Sequence, residues 1–547
     1  MTTSAATAGP ARPAPASAVN YEDGILSVPD HQIRDDEILF IVRRQQREDQ
    51  PQEYHVCWLR EPAASATSAA ASSTTATSDG DTSPPPPFAF HTTVLDESAA
   101  HKFPAGVLRR HLLADIAPIF REDDSSPPSP SSSQSLPSSS SSLHVIVSTR
   151  SGLGQAQAFY DTVLKPLLSV FGLTAVTASG DEKVPKGQKS YNLLVTSSSS
   201  SISEFANTLR KKTPTNSTDA PATIVLLSGD GGVVDLLNGV SEQGDDADPR
   251  QLPALALLPL GTGNALFHSL HRPDYLAAAE AAAAVPAQDG SDKPAASAGP
   301  SSFVLGLRTL FKGHAAPLPN FEARFSPGSH TVSYSLQDEA GKETALKEQA
   351  ENVELLRGAI VASYGFHAQL VWESDTPEYR KHGDKRFGMA AQELLKTSHA
   401  YDADVSLTET GKDAARTLGS RFNYILASMV SNLEKTFTIS PASEPLDGQL
   451  RLVHFGDVGG AKTMEIMMAA YNNGAHVGLQ WTKEAERNKE ESVGYDAIDE
   501  LQVNVLEQDA RWRKVCIDGT IVEIPYGGWM KVRKATKPVL QVIVNGQ

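Results

Sequence analysis

Leu226-Leu227-Ser228-Gly229-Asp230-Gly231-Gly232 and, about thirty residues on, Leu257-Leu258-Pro259-Leu260-Gly261-Thr262-Gly263-Asn264 decide how this chain is read. Each glycine-rich stretch follows an apolar run with the character of a buried parallel strand and leads into an apolar, helix-compatible stretch. Glycine at a strand-to-helix turn lets the backbone approach a ligand closely, and the helix start beyond it offers free N–H groups and partial positive charge, a setting for phosphate. Asp230 inside such a loop would repel phosphate unless it either holds Mg²⁺ or takes a proton from an attacking hydroxyl. The alternative reading of the same residues is two tight turns with a helix-capping Asp.

Outward from these loops, strands alternate with helices from Leu143 through about Leu270, which predicts a parallel α/β sheet with ligands beyond its C-terminal strand ends. Leu143–Val147 runs into Ser148-Thr149-Arg150-Ser151-Gly152-Leu153-Gly154, a turn opening a helix that ends near Gly172. Tyr191–Val195 runs into Thr196 and the serines Ser197–Ser201, which read either as another loop at the site or as plain low complexity. An Ala/Pro/Gly-rich insertion, Ala277–Pro300, then gives way to alternating patterns at Phe321–Phe325 and Thr331–Ser335 that predict antiparallel sheet. Ahead of all this, Glu37–Val42 and Tyr54–Leu59 predict a hairpin and Ala105–Leu113 a short helix: a packing extension, or a small accessory or membrane-recruiting module. Tracts at Pro62–Pro87 and Ser125–Ser142 are too poor in apolar residues to order themselves and read as linkers. The expected divisions are 1–140, 141–305 and 306–547.

With 547 residues, 40% of them apolar, the chain can supply cores for two or three domains. A net charge of −17 argues against a nucleic-acid binder and against general electrostatic attachment to anionic lipid. Two cysteines, Cys57 and Cys516, exclude a disulfide scaffold and a cysteine-based zinc cluster, and suit a reducing cytosol. No apolar run approaches the roughly twenty residues of a membrane span. The expected location is the cytoplasm, with peripheral membrane contact.

At the two glycine loops the chain resembles the diacylglycerol kinase catalytic-domain family, and within it the sphingosine kinases. The family's first loop reads Gly-Gly-Asp-Gly-Thr followed by an acid and Val-Val-Asn-Gly; sphingosine kinases begin it with Ser, as Ser228 does here, and the acid and the Asn-Gly pair stand as Asp235 and Asn238-Gly239. Gly365-Phe366-His367-Ala368-Gln369, Trp372-Glu373-Ser374, Tyr379-Arg380 and Arg386-Phe387 resemble the sphingosine kinase stretch that binds nucleotide phosphates and the lipid head, and Ile517-Asp518-Gly519-Thr520 stands at the family's Asp-Gly-Glu. The resemblance runs from about Leu143 to the C-terminus. It implies an α/β nucleotide domain followed by an antiparallel β-sandwich lipid domain, with the catalytic cleft between them.

It also implies an ATP- and Mg²⁺-dependent kinase of a lipid hydroxyl, with Asp230 as general base and a Mg²⁺ role as the competing assignment. The nucleotide contacts would be Ser148, Thr149, Arg150, Gly152, Thr196, Ser228, Gly229, Gly231, Gly261, Thr262, Gly263, Asn264, Asp518 and Gly519, with Arg380 and Arg386 on the phosphates. Gln369 and Glu373 would face the lipid, and Asp235 would be a supporting or helix-start acid. Ser148 and Thr149 replace the family's Asn-Pro, Gly232 its Thr, and Thr520 its Glu, with Asp518 or Glu523 as candidates to compensate. These departures leave open a pseudokinase that binds nucleotide or lipid without turnover. Sphingosine kinases carry an Asp where Gln369 stands, a carboxylate that pairs with the sphingoid ammonium. A neutral amide there admits diacylglycerol or ceramide beside a sphingoid base. A kinase of a soluble substrate, such as the NAD kinases with their related loop, is the remaining alternative.

Overall fold

The computed structural model describes residues 18–44, 52–61, 88–113, 120, 142–177, 189–212, 221–240, 251–284, 299–335, 347–383, 385–483 and 489–545. The tract at 62–87, and all of 125–142 except its last residue, lie outside them.

Seven strands form the α/β sheet: β1 (Leu143–Val147), β2 (Leu173–Thr177), β3 (Lys189–Val195), β4 (Thr223–Ser228), β5 (Ala254–Pro259), β6 (His314–Pro317) and β7 (Gln541–Val544), in spatial order β6-β7-β5-β4-β1-β3-β2. β4 and β5 are nearly continuous apolar runs because helices cover both faces of a parallel sheet, and they lie side by side in register from Thr223 opposite Ala254 to Ser228 opposite Pro259. Their C-terminal ends therefore release the two glycine loops at the same level. The edge is completed by β7, from the far C-terminus, which pairs parallel with β5, and by β6, antiparallel to β7. The division expected at 305 is thus crossed twice, by β6 and β7, and no local signal announced it. Helix Arg272–Ala283 runs into the insertion expected from Ala277. Its alanines carry the highest helix propensity, so it forms although none of its residues is buried.

The remaining large sheet is antiparallel and has 13 strands. Within it Arg421–Ser428 pairs with both Tyr401–Glu409 and Leu450–Gly456, and those two both pair with Gly494–Val505, which closes a four-strand ring. One core gathers side chains from strands far apart in the sheet, among them Phe321, Val405, Ile425, Val503 and Val522, so the sheet curls around it. A second core joins the two halves, with Leu226, Leu237 and Leu266 on the α/β side against Phe366, Leu426, Phe455 and Ile466. That shared core fixes the distance across the cleft described below.

The expected hairpin forms from Ile38–Arg44 and Glu53–Arg60, joined by a third strand, Ala89–Asp96. Leu39, Phe40 and Val42 join the α/β core, where Phe40 and Phe171 each sit 4.9 Å from the Phe311 ring. Arg308, on helix Ser302–Lys312, donates to the Asp35 and Ile38 carbonyls. Other side chains of the segment, among them Ile38, Ile41, Val56 and Trp58, form a separate core of its own. No helix among the described residues is long and apolar enough to cross a membrane.

Candidate active site

The two glycine loops touch backbone to backbone. A Cβ on Gly261 would lie 2.3 Å from Gly229 Cα, and one on Gly152, at φ +53°, would lie 2.5 Å from the Leu260 carbonyl oxygen. Those three glycines are required because the loops pack against one another. Gly231 differs: a Cβ there would meet nothing within 4 Å. Gly263 is nearly as open, with its nearest neighbour, the Leu433 carbonyl oxygen, 3.4 Å away.

Asn264 adopts left-handed φ +53° and holds its own loop, accepting from Gly261 N–H at 3.0 Å and donating to the Gly261 carbonyl at 2.9 Å. With that side chain engaged, helix Ala265–Leu270 has no cap from its own N-cap residue. Asp230 takes the place across space. Its Oδ2 accepts from Ala265 N–H at 2.7 Å and its Oδ1 from Leu266 N–H at 3.2 Å. The capping reading of Asp230 is therefore realised, and each carboxylate oxygen keeps a second lone pair. Burial pushes the Asp230 pKa up to about 6, against the lowering effect of those two N–H groups. The raised value suits a group that must accept a proton near neutrality.

Several residues expected at the nucleotide are engaged by other parts of the protein. Thr149 N–H donates to Thr196 Oγ1 at 3.1 Å and Thr149 Oγ1 to the Thr196 carbonyl at 3.0 Å, tying two loops together. Ser148 N–H donates to the Leu227 carbonyl. Ser228 is buried, and a Cβ at 232 would lie 2.6 Å from its Oγ, so a side chain at 228 explains the glycine at 232. None of Ser148, Thr149, Arg150, Thr196, Ser228 and Asn264 lines the cleft. Ser151, which sequence reasoning passed over, does line it and accepts from Gly229 N–H at 2.9 Å. The serine run turns out ordered: Ser201 Oγ accepts from Ser197 and Ser198 N–H at the start of helix Ser201–Lys212.

Across the cleft, Asp518 sits at left-handed φ +47° and accepts from the backbone N–H groups of Ala359, Ile360 and Val361, at 2.6 Å for Ala359 and Val361. Burial, reinforced by the charge of Asp230, pushes its pKa up to about 7. Its carboxylate fixes the strand entrance; Gly519 and Thr520 beside it line the cleft. Glu523 pairs with Lys514 Nζ at 3.5 Å and does not line the cleft, so it does not replace the carboxylate missing at Thr520. Asp235 does line it, with its pKa pushed up to about 6 by burial alone and no hydrogen bond or ion pair among the described residues.

Arg380 and Arg386 converge on Asp375, and of the two only Arg386 lines the cleft. Gly383, at φ +58°, brings this segment against the Ser148–Gly154 turn that follows β1, where a Cβ would lie 3.0 Å from Leu153 Cδ2.

The cleft holds about 610 Å³. Beyond the glycines and Asp230 its walls turn apolar, with Phe366, Leu370, Phe437, Met464, Met467 and Tyr471. Much of that wall comes from helix Gly459–Ala470 and the Tyr471 that follows it. Apolar residues at 464, 467, 468 and 471 form a stripe of helical period that was there to be found. Gln369 and Glu373 are elsewhere. Gln369 is 1% exposed, its Nε2 donates to Glu373 Oε1 at 2.8 Å, and Glu373 in turn accepts from Arg511 at 3.2 Å. Neither lines the cleft, because Phe366, His367, Leu370 and Val371 form the helix face that does. His367 presents a neutral ring, its Nδ1 2.7 Å from Ser363 Oγ and its pKa pushed down to about 4 by burial.

Residues 142–291 match the family model of the diacylglycerol kinase catalytic domain. Three solved structures from Bacillus anthracis str. Sterne are similar to the chain. Two are titled as a "putative diacylglycerol kinase", both at 12% identity over 74% of this chain and 97% of theirs, with TM-scores of 0.43 and 0.41. The third, titled as a diacylglycerol kinase, has 13% identity over the same shares and a TM-score of 0.38. No curated protein matches the chain.

Proposed function

We propose that this protein is an ATP- and Mg²⁺-dependent kinase that phosphorylates a hydroxyl of a membrane-derived lipid. The observation that carries the reading is the position of Asp230, in one cleft lined by both the glycine loops and a group of apolar side chains. Phosphoryl transfer needs the phosphates held, the acceptor oxygen in line and its proton removed late. Loop N–H groups around Gly231 and Gly263 hold phosphate where no side chain intrudes, and Arg386 adds a cationic donor. Asp230 takes the hydroxyl proton on a lone pair that its capping bonds leave free. Among the described residues no group of three or more His, Cys, Asp or Glu is placed to hold a metal. Mg²⁺ would bind through the nucleotide phosphates, with a carboxylate contact from Asp230 as the competing assignment to its role as base. Bound there, it would neutralise charge on the transferring phosphate.

The apolar end favours a lipid over a soluble acceptor, and Met468 and Tyr471, 57% and 45% exposed, extend apolar surface outward from it for peripheral membrane contact. Sphingoid base, diacylglycerol and ceramide are all candidates, since Gln369 does not line the cleft. The pseudokinase alternative rests on Thr520, whose hydroxyl stands without a replacement carboxylate from Glu523. Purified protein with labelled ATP, Mg²⁺ and mixed micelles of each lipid separates these readings. A labelled organic-soluble product supports the kinase and names its lipid; ATP binding without product supports the pseudokinase.

A further inference from the structure

Two neutral polar groups stand in the apolar part of the cleft wall. His367 lies on the helix face it shares with Phe366, Leu370 and Val371. Its Nδ1 is 2.7 Å from Ser363 Oγ, and Ser363 is wholly buried and does not line the cleft, so the opposite edge of the ring, which carries Nε2, is the one that reaches it. Nε2 makes no hydrogen bond among the described residues and stays accessible. Tyr424, on strand Arg421–Ser428, meets this ring edge-on at 6.3 Å and stacks on Phe455 at 5.2 Å. It also lines the cleft, and its hydroxyl makes no hydrogen bond among the described residues. Burial keeps the imidazole neutral, its pKa pushed down to about 4, and holds the phenol protonated. When lipid chains fill the cleft these groups lose their water, which costs free energy unless the ligand supplies a partner.

We propose that His367 and Tyr424 are specificity-determining residues that hydrogen-bond an acyl carbonyl of the acceptor, so that the lipid phosphorylated is an uncharged acyl lipid with an ester or amide beside its reacting hydroxyl. The inference rests on the kinase reading and narrows its substrate. Tyr424 offers a donor that a carbonyl oxygen accepts; with Nδ1 engaged, Nε2 adds a second donor or a lone pair according to tautomer. A free sphingoid base carries an ammonium where such a lipid has its amide, and neither side chain has a charge to pair with it.

The test is transfer from labelled ATP by the full chain to two acceptor pairs in the same mixed micelles, with the Tm of every variant recorded. Diacylglycerol is set against a dialkylglycerol, whose ether links keep the hydroxyl and chains and lack the carbonyls; ceramide is set against sphingosine. In the pair holding the better substrate, wild type should favour the acyl lipid by about tenfold or more in kcat/KM. Tyr424→Phe, which removes only the hydroxyl, should lower that ratio about three- to tenfold. His367→Asn, which keeps a polar atom for Ser363 and lacks Nε2, should do the same, and His367→Gln, whose amide reaches the Nε2 position, should restore part of it. The acceptor without a carbonyl should change less than about threefold in every variant. A role confined to packing would lower Tm and slow both members of the pair alike. Should His367→Asn fail to fold, Tyr424→Phe decides in its place. A wild-type ratio near one, a preference for sphingosine, or a ratio that neither variant moves overturns the assignment and leaves the kinase reading intact. ATP bound with no labelled lipid from any acceptor overturns both.

Discussion

On one side of the cleft a Cβ on Gly261 would lie 2.3 Å from Gly229 Cα; elsewhere on its wall Met464, Met467 and Met468 present flexible side chains. The glycine-loop wall is held in register by β4 and β5, and its polar side chains are mostly engaged with one another. The apolar wall is lined by large side chains. Backbone surfaces fail when atoms are added to them, whereas an apolar wall of methionines tolerates changes of shape and fails when charge enters it.

The sharpest way to break this contrast is to add atoms at two glycines of the first wall. Gly261→Val should cost about 3 kcal/mol or more and lower Tm by several degrees, since its side chain would overlap backbone. Gly231→Ala should leave Tm unchanged or slightly higher, because Ala is the better helix residue and the space is open, yet weaken ATP binding. Equal Tm losses would mean that both glycines serve packing. On the opposite wall, Met464→Asp should raise the lipid KM about tenfold or more, through a charge in contact with an acyl chain, and leave the ATP KM within about twofold. A change confined to ATP would assign that wall to the nucleotide.

Acidity gives an effect of similar or smaller size at the junction of the walls. Burial raises the Asp230 pKa to about 6, so its proton-accepting form is lost as pH falls through that value. Between pH 7 and pH 5 kcat should drop about tenfold with MgATP and lipid saturating. A flat profile would remove Asp230 as the base. Gln369→Asp should do least. Because Gln369 faces Glu373 and not the cleft, the ratio of kcat/KM for sphingosine over diacylglycerol should stay within about twofold of wild type, beside some loss of stability from two adjacent carboxylates. A large shift toward sphingosine would put that residue back at the head group.

Residue order alone located the glycine loops, Asp230, the α/β sheet and the hairpin, because each depends on local pattern: an apolar run, a turn, a helix start. Three features depend on contacts distant in sequence and stayed hidden. β7 joins β5 from residue 541, with no signal near either partner. Thr149 meets Thr196, and Asp230 caps a helix 35 residues away, so polar residues that look like ligand contacts are taken up by their neighbours. Gln369 is one step around its helix from the cleft face, a rotation that no alignment of motifs reveals. The methionine stripe of helix Gly459–Ala470 was legible in period and became meaningful only once the fold set it opposite the glycine loops.

Single-turnover transfer from labelled ATP to lipid, run side by side for wild type and Asp230→Asn with ATP affinity measured on both, tests the central claim most directly. The account predicts a labelled lipid from wild type, ATP binding within a few-fold in the variant because the amide oxygen still accepts from the helix, and a transfer rate lower by about 10²–10⁴. A variant that keeps more than a tenth of the wild-type rate, or a wild type that labels only water-soluble acceptors, would contradict it.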